Sequence, residues 1–95
     1  MDLSVIVFTM KGCPFCQDFK EMLKEAQIEF IERDIDEHHE EYDLFSSINK
    51  NDMIPALLII ESNGDKHEPY QYVPERDFNE LTEALAIIEN HRKVI

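Results

Sequence analysis

Basic side chains are scarce in this chain: nine lysines and arginines stand against 21 aspartates and glutamates, a formal net charge of −12 over 95 residues. That balance excludes nucleic acid as a natural partner, because phosphate contacts need concentrated positive charge. It disfavours an anionic membrane surface for the same reason. Cysteine is equally sparse: with two in the chain, a multi-disulfide framework is excluded and any thiol chemistry is confined to one place. Long hydrophobic runs are missing too. The stretch from Leu3 to Phe8 is too short for a signal peptide or a membrane span, and Met1-Asp2-Leu3-Ser4 carries no basic region ahead of it. The expectation is a reducing, cytoplasmic location, where a lone pair of cysteines is more often catalytic or metal-binding than structural. Low-complexity segments, repeats and linkers are absent, so residues 1–95 read as a single domain with enough apolar content, 43%, to bury a core.

What is present is an alternation of apolar runs and helical periodicities. Leu3 to Thr9 reads as a buried strand, with the continuous apolar character of a central parallel strand. From Pro14 to about Gln27, Phe15, Phe19, Met22, Leu23 and Ala26 recur at helical spacing. Ile28 to Ile35 follows as a second strand, parallel to the first because a helix intervenes. Glu37 to Lys50 is the next helix, with Tyr42, Phe45 and Ile48 facing inward and Asp36 as N-cap. Glu37, Glu40 and Glu41 complement its positive end. Ala56 to Glu61 is a buried strand, Ser62-Asn63-Gly64-Asp65 a turn, and Lys66 to about Tyr70 an antiparallel hairpin partner. The last helix runs from Pro74 or Glu75 to about His91, with Phe78, Leu81, Leu85 and Ile88 on one face and Ala84 and Ile87 widening it. The order is β-α-β-α-β-β-α. Most of the acidity, from Glu32 to Asp43 and along the last helix, belongs to solvated faces, whereas Lys11, Lys20 and Lys24 gather near the cysteines.

Chemistry is concentrated in Cys13-Pro14-Phe15-Cys16, which follows the first strand and opens the first helix. There the first sulfur meets unpaired backbone N–H groups and the positive end of the helix dipole, which favour negative charge. Cys13 is the expected thiolate. Cys16, one turn on, is placed to attack a mixed disulfide on Cys13 and release the bound partner as a thiol. Pro14 suits the first helical turn, where its missing N–H costs nothing. Half of a zinc site and a stapling disulfide stand as alternatives. Zinc needs two further ligands, to be drawn from His38, His39, His67 and His91, and a staple across so short a loop constrains the unfolded chain little. His38 and His39, adjacent on a helix, point about 100° apart and belong to a polar face.

Taken together, the element order, Cys13-Pro14-Phe15-Cys16 with Thr9 and Lys11 ahead of it, and Ile54-Pro55 before the third strand make the chain resemble a glutaredoxin of the dithiol type. The resemblance implies an α/β, thioredoxin-like fold: a four-stranded mixed sheet flanked by three helices, with Cys13 exposed at its edge. Pro55 then faces Cys13 in a cis peptide bond, presenting the Ile54 backbone to an extended substrate. It also implies a thiol-disulfide oxidoreductase acting on protein disulfides or glutathione mixed disulfides, with no tightly bound cofactor or metal and with glutathione as reductant. By the same resemblance Cys13 and Cys16 are catalytic. Lys11, Phe15, Ile54, Pro55, Arg76 and Asp77 contact glutathione or substrate; for Tyr72, read from its amphipathic ring alone, a place in the groove beside Pro55 and a surface-packed one both stand. Its implied partners are glutathione and cytosolic disulfide enzymes such as ribonucleotide reductase, met by a monomer.

Two departures from the family pattern bear on glutathione. The lysine usual three residues before the first cysteine is Met10 here, with Lys11 one residue nearer. Where the family has a glycine pair ahead of the last helix, this chain has Gln71-Tyr72-Val73-Pro74-Glu75-Arg76-Asp77, and Pro74 has no N–H to offer. The segment Tyr70 to Arg76 looks partly thioredoxin-like. That leaves a redoxin served by thioredoxin reductase as an alternative, alongside an iron-sulfur module, whose relatives mostly carry Gly-Phe-Ser after a single cysteine, and a non-catalytic scaffold.

Overall fold

The computed structural model describes residues 2–94; Met1, with which the N-terminal reading begins, and Ile95, the end of the expected domain, lie outside them. The elements are β1 (Asp2–Thr9), α1 (Pro14–Glu25), β2 (Ile31–Asp34), α2 (His39–Asn49), β3 (Ala56–Asn63), β4 (Lys66–Tyr72) and α3 (Leu81–Val94). The strands form one mixed sheet in the order β2-β1-β3-β4. β1 is parallel to β2, with Val7 opposite Glu32, and antiparallel to β3, with Phe8 opposite Ala56. β3 and β4 are antiparallel across the expected turn. Among the described residues no helix is long and apolar enough to cross a membrane.

Alternation along β1 and β3 divides the core in two. Val5, Val7, Leu57 and Ile59 pack with Phe19 and Leu23 of α1 and with Ala84 and Ile88 of α3. On the other side Phe8 and Ala56 pack with Tyr42 and Phe45 of α2 and with Val73. Phe8 sits at the centre of an aromatic trio, its ring centroid 5.5 Å from Tyr42 and 4.8 Å from Phe45. His91 ties α3 to the sheet: one ring nitrogen meets Glu61 of β3, and the other lies 2.6 Å from the Tyr72 hydroxyl of β4. Both sheet edges are short on open ladder positions. β2 is only Ile31-Glu32-Arg33-Asp34, and β4 carries Pro69 opposite Ile60.

Three boundaries and the facing of one residue differ from those expected, and at the boundaries local hydrogen bonds outcompete periodicity. β2 starts at Ile31 rather than Ile28, since Gln27 (φ 58°) closes α1 with bonds from its own N–H to Lys24 O and from Ile28 N–H to Leu23 O. Asp36 does not cap α2. Its N–H is instead bound by the Asp34 carboxylate, 2.9 Å away, and the helix begins at His39. Ile48, expected inward, is 59% exposed, because α2 meets the sheet through Tyr42 and Phe45 alone. The last helix begins at Leu81 and not at Pro74 or Glu75. Residues 74–80 form a turn in which Glu75 is left-handed (φ 72°) and Phe78, still buried, reaches the core from a loop.

Candidate functional site

Thr9 ends β1, and Gly12 (φ 78°) turns the chain so that Cys13 becomes the N-cap of α1 with Pro14 in the first turn. The Cys16 N–H donates to Cys13 Sγ at 3.2 Å, the Gln17 N–H donates to the Cys13 carbonyl, and the two sulfurs lie at bonding distance with their Cα atoms 5.2 Å apart. An N–H aimed at Sγ at a helix N-terminus favours a thiolate when the bond is reduced. Cys16 is 1% exposed and Cys13 8%. Of the two, Cys13 is the more accessible. The exposed Cys13 implied by the resemblance is corrected, because in the bonded pair its sulfur is held against Cys16 and the helix end.

Beneath the pair, the buried Thr9 hydroxyl donates to Glu32 Oε2 at 2.7 Å, and Lys20 Nζ, one turn after Cys16, reaches the same oxygen at 2.9 Å. Lys20 first, and Thr9 second, hold the Glu32 carboxyl below its ordinary 4.5. A carboxylate with a depressed pKa stabilises the fold fully above its unfolded value and ceases to as pH falls through the folded one. Wild type is thus expected to be more stable than Glu32→Gln by about 1 kcal/mol near neutrality. The gap should close as the pH falls below the ordinary 4.5 and through the lowered folded value, in chemical-denaturation series run at stepped pH.

A cleft of about 480 Å³ takes Phe15 of the cysteine motif into its lining, though neither cysteine itself. One wall is the start of α1, Phe15 and Asp18. A second is Met53, Ile54 and Pro55, and the third is the turn from Pro74 into Thr82. The Ile54–Pro55 bond is cis, as the resemblance implied. Phe15 is 65% exposed and Met53 40%, so the cleft presents apolar surface to solvent at the residue between the two cysteines that follows Pro14.

Of the residues expected to contact substrate, Phe15, Ile54 and Pro55 line this cleft and Lys11, Arg76 and Asp77 do not. Lys11 is exposed on the turn before Cys13 and makes no ion pair among the described residues. Arg76 faces away: its guanidinium donates to Asp77, to Asn49 Oδ1 at 2.9 Å and to the Gln71 carbonyl at 3.0 Å. Asp77 is a strut, accepting the Val73 N–H at 2.8 Å together with Arg76. Tyr72 is bound to His91 rather than to the groove beside Pro55. Among the described residues, no three His, Cys, Asp or Glu side chains come together as a metal site.

Residue-by-residue reasoning missed Asp18, Met53, Glu75 and Glu80 as lining residues. It also missed Glu83, whose Oε1 accepts the N–H groups of Asn79 (3.1 Å) and Glu80 (3.0 Å). A signal was there: Glu83 lies three residues after Glu80, the spacing of a capping box. The consequence for the cleft is chemical. Where the family offers free N–H groups to a carboxylate, this turn uses those of Val73, Glu75, Asp77, Asn79 and Glu80 internally, and Pro74 has none.

The strut makes its own prediction. Asp77→Ala leaves the Val73 N–H without its acceptor and Arg76 without its ion partner, and is expected to cost about 1–2 kcal/mol in denaturant unfolding. Arg76→Ala should cost less, since that side chain is half exposed.

Comparison with known proteins places these features. The family model named Glutaredoxin matches residues 5–62, which hold the cysteine motif, Ile54-Pro55 and β1 to β3. The match stops before the turn whose hydrogen bonding departs from the family pattern. No curated protein matches the chain. Among solved structures, a thioredoxin from Trichomonas vaginalis superposes with a TM-score of 0.62 at 20% identity, over 94% of this chain and 78% of that one, a likeness of fold. With the motif at the N-terminus of α1 and more than half of its length matched, the chain belongs to the glutaredoxin family.

Proposed function

We propose that this glutaredoxin reduces protein disulfides by a dithiol mechanism, as a cytoplasmic monomer. The observation that carries the reading is the Cys16 N–H on Cys13 Sγ with the more deeply buried Cys16 behind it. Cys13 thiolate attacks one sulfur of the substrate disulfide, whose S–S bond breaks as the other sulfur leaves as a thiolate and takes a proton from water. Cys16, losing its proton, then attacks Cys13 Sγ. The Cys13–Cys16 bond forms, the mixed disulfide breaks, and the substrate departs reduced by two electrons. An external thiol restores the pair. Family membership supports glutathione in that role, by direct thiol exchange at Cys13, and the internal bonding of five N–H groups in the turn before α3 supports a protein reductase instead. Turnover of a protein disulfide is to be measured with glutathione plus glutathione reductase and with thioredoxin reductase. Activity with at least one source is expected, and activity with neither overturns the reading.

A further inference from the structure

The cleft's charge and hydrogen bonding carry the reading one step further, to the kind of disulfide it accepts. Asp18 is exposed on the α1 wall and Glu75 and Glu80 on the wall formed by the turn before α3; none forms an ion pair among the described residues, and no Lys, Arg or His lines the cleft. Arg76, the nearest cation in sequence, is spent on Asp77, Asn49 and Gln71. The start of α3, the customary place for an anion, is filled by the chain's own Glu83 carboxylate. No cationic side chain in the cleft receives a carboxylate, and three groups repel one. Between the acids lie the exposed Phe15 ring and Met53, with Ile54 and Phe78 behind them.

We propose that the cleft selects protein disulfides whose reacting cysteine is flanked by a basic and an apolar residue, with Asp18, Glu75 and Glu80 as specificity-determining residues. It thereby discriminates against glutathione disulfides, whose carboxylates outnumber their ammonium groups. The proposal rests on the thiol-disulfide reading of Cys13 and Cys16. Charge complementarity of this kind acts on the association step and weakens with salt.

The test is single-turnover oxidation of the reduced protein by two peptide disulfides of matched sequence, one with Arg-Cys-Leu around the reacting sulfur and one with Glu-Cys-Leu, and by oxidised glutathione. At low ionic strength the Arg peptide is expected to react roughly tenfold or more faster than the Glu peptide and than glutathione, and the ratio should shrink at 0.5 M salt, where the screening length falls to a few ångströms. Glu75→Gln/Glu80→Gln should lower the ratio to about threefold. Glu37→Gln/Glu40→Gln, which removes equal charge ahead of and at the start of α2, should leave it unchanged. Equal rates for both peptides, a preference for glutathione, or a ratio that follows net charge regardless of position would overturn the selectivity while leaving the oxidoreductase intact. Failure to reduce any of the three would instead sink the oxidoreductase reading, and this one with it.

Discussion

Cys13→Ser is expected to lower disulfide reductase activity by roughly a thousandfold or more, the scale seen when a covalent nucleophile is removed. A serine hydroxyl at the α1 N-cap still accepts the Cys16 N–H, so the helix start is kept and the loss is one of chemistry. Cys16→Ser should behave differently. Its first step is intact, so mixing it with a substrate disulfide is expected to yield a stable adduct on Cys13, visible as a mass increase equal to one substrate half and reversed by added thiol. Escape then depends on an external thiol, and steady-state turnover of protein disulfides should fall sharply. Equal loss in both variants without an adduct would mean that Cys16 is needed to present Cys13, contrary to the geometry in which only its backbone N–H touches Cys13 Sγ apart from the disulfide itself.

The largest expected effect on stability is at Phe8. It is 1% exposed and packs on Tyr42 and Phe45, and α2 holds the sheet through those two rings. Truncation to alanine removes the ring's burial and leaves a cavity, a loss of about 3–5 kcal/mol, to which the broken aromatic pairs add. That is a large share of the ~5–10 kcal/mol a domain of this size holds, and it corresponds to a drop of roughly 15–30 °C in Tm. Ala56 is Phe8's partner in the sheet and Ile54 packs on the same cluster. Phe8→Ala is therefore expected to loosen the wall of the cleft formed by Met53, Ile54 and Pro55 before the chain unfolds globally, as faster amide exchange there. Phe8→Leu, which refills much of the space, should retain most of the stability. A loss below about 1.5 kcal/mol for the alanine variant would show that α2 can close over the gap.

The strands and the first helix were legible in the sequence because long-period signals dominate there: unbroken apolar runs for β1 and β3, and Phe19 and Leu23 one turn apart for α1. The cysteine motif was legible because its chemistry depends on spacing alone. The turn before α3 was not. Phe78 sits at helical spacing from Leu81, Leu85 and Ile88, and its burial satisfies the same pattern whether it arrives from a helix or from a loop. What decides for the loop is a pair of side-chain-to-backbone bonds, Asp77 on Val73 and Glu83 on Glu80, which compete with the helical ladder without leaving a trace in hydrophobic periodicity. Arg76 was misplaced for the same reason. A cation next to an expected anion site reads as a ligand contact until its neighbours, Asn49 of α2 and the Gln71 carbonyl, turn out to hold it.

Pro69 in β4 and the brevity of β2 bear on how the sheet meets other copies of the chain. An open sheet edge is a template on which another strand can pair. One edge here carries Pro69, which has no N–H to donate, and the other offers four residues, three of them charged. Both features work against edge-to-edge pairing, and the net charge of −12 adds repulsion between copies. Mutations that replace Pro69 or lengthen β2 with neutral residues are where aggregation would first appear.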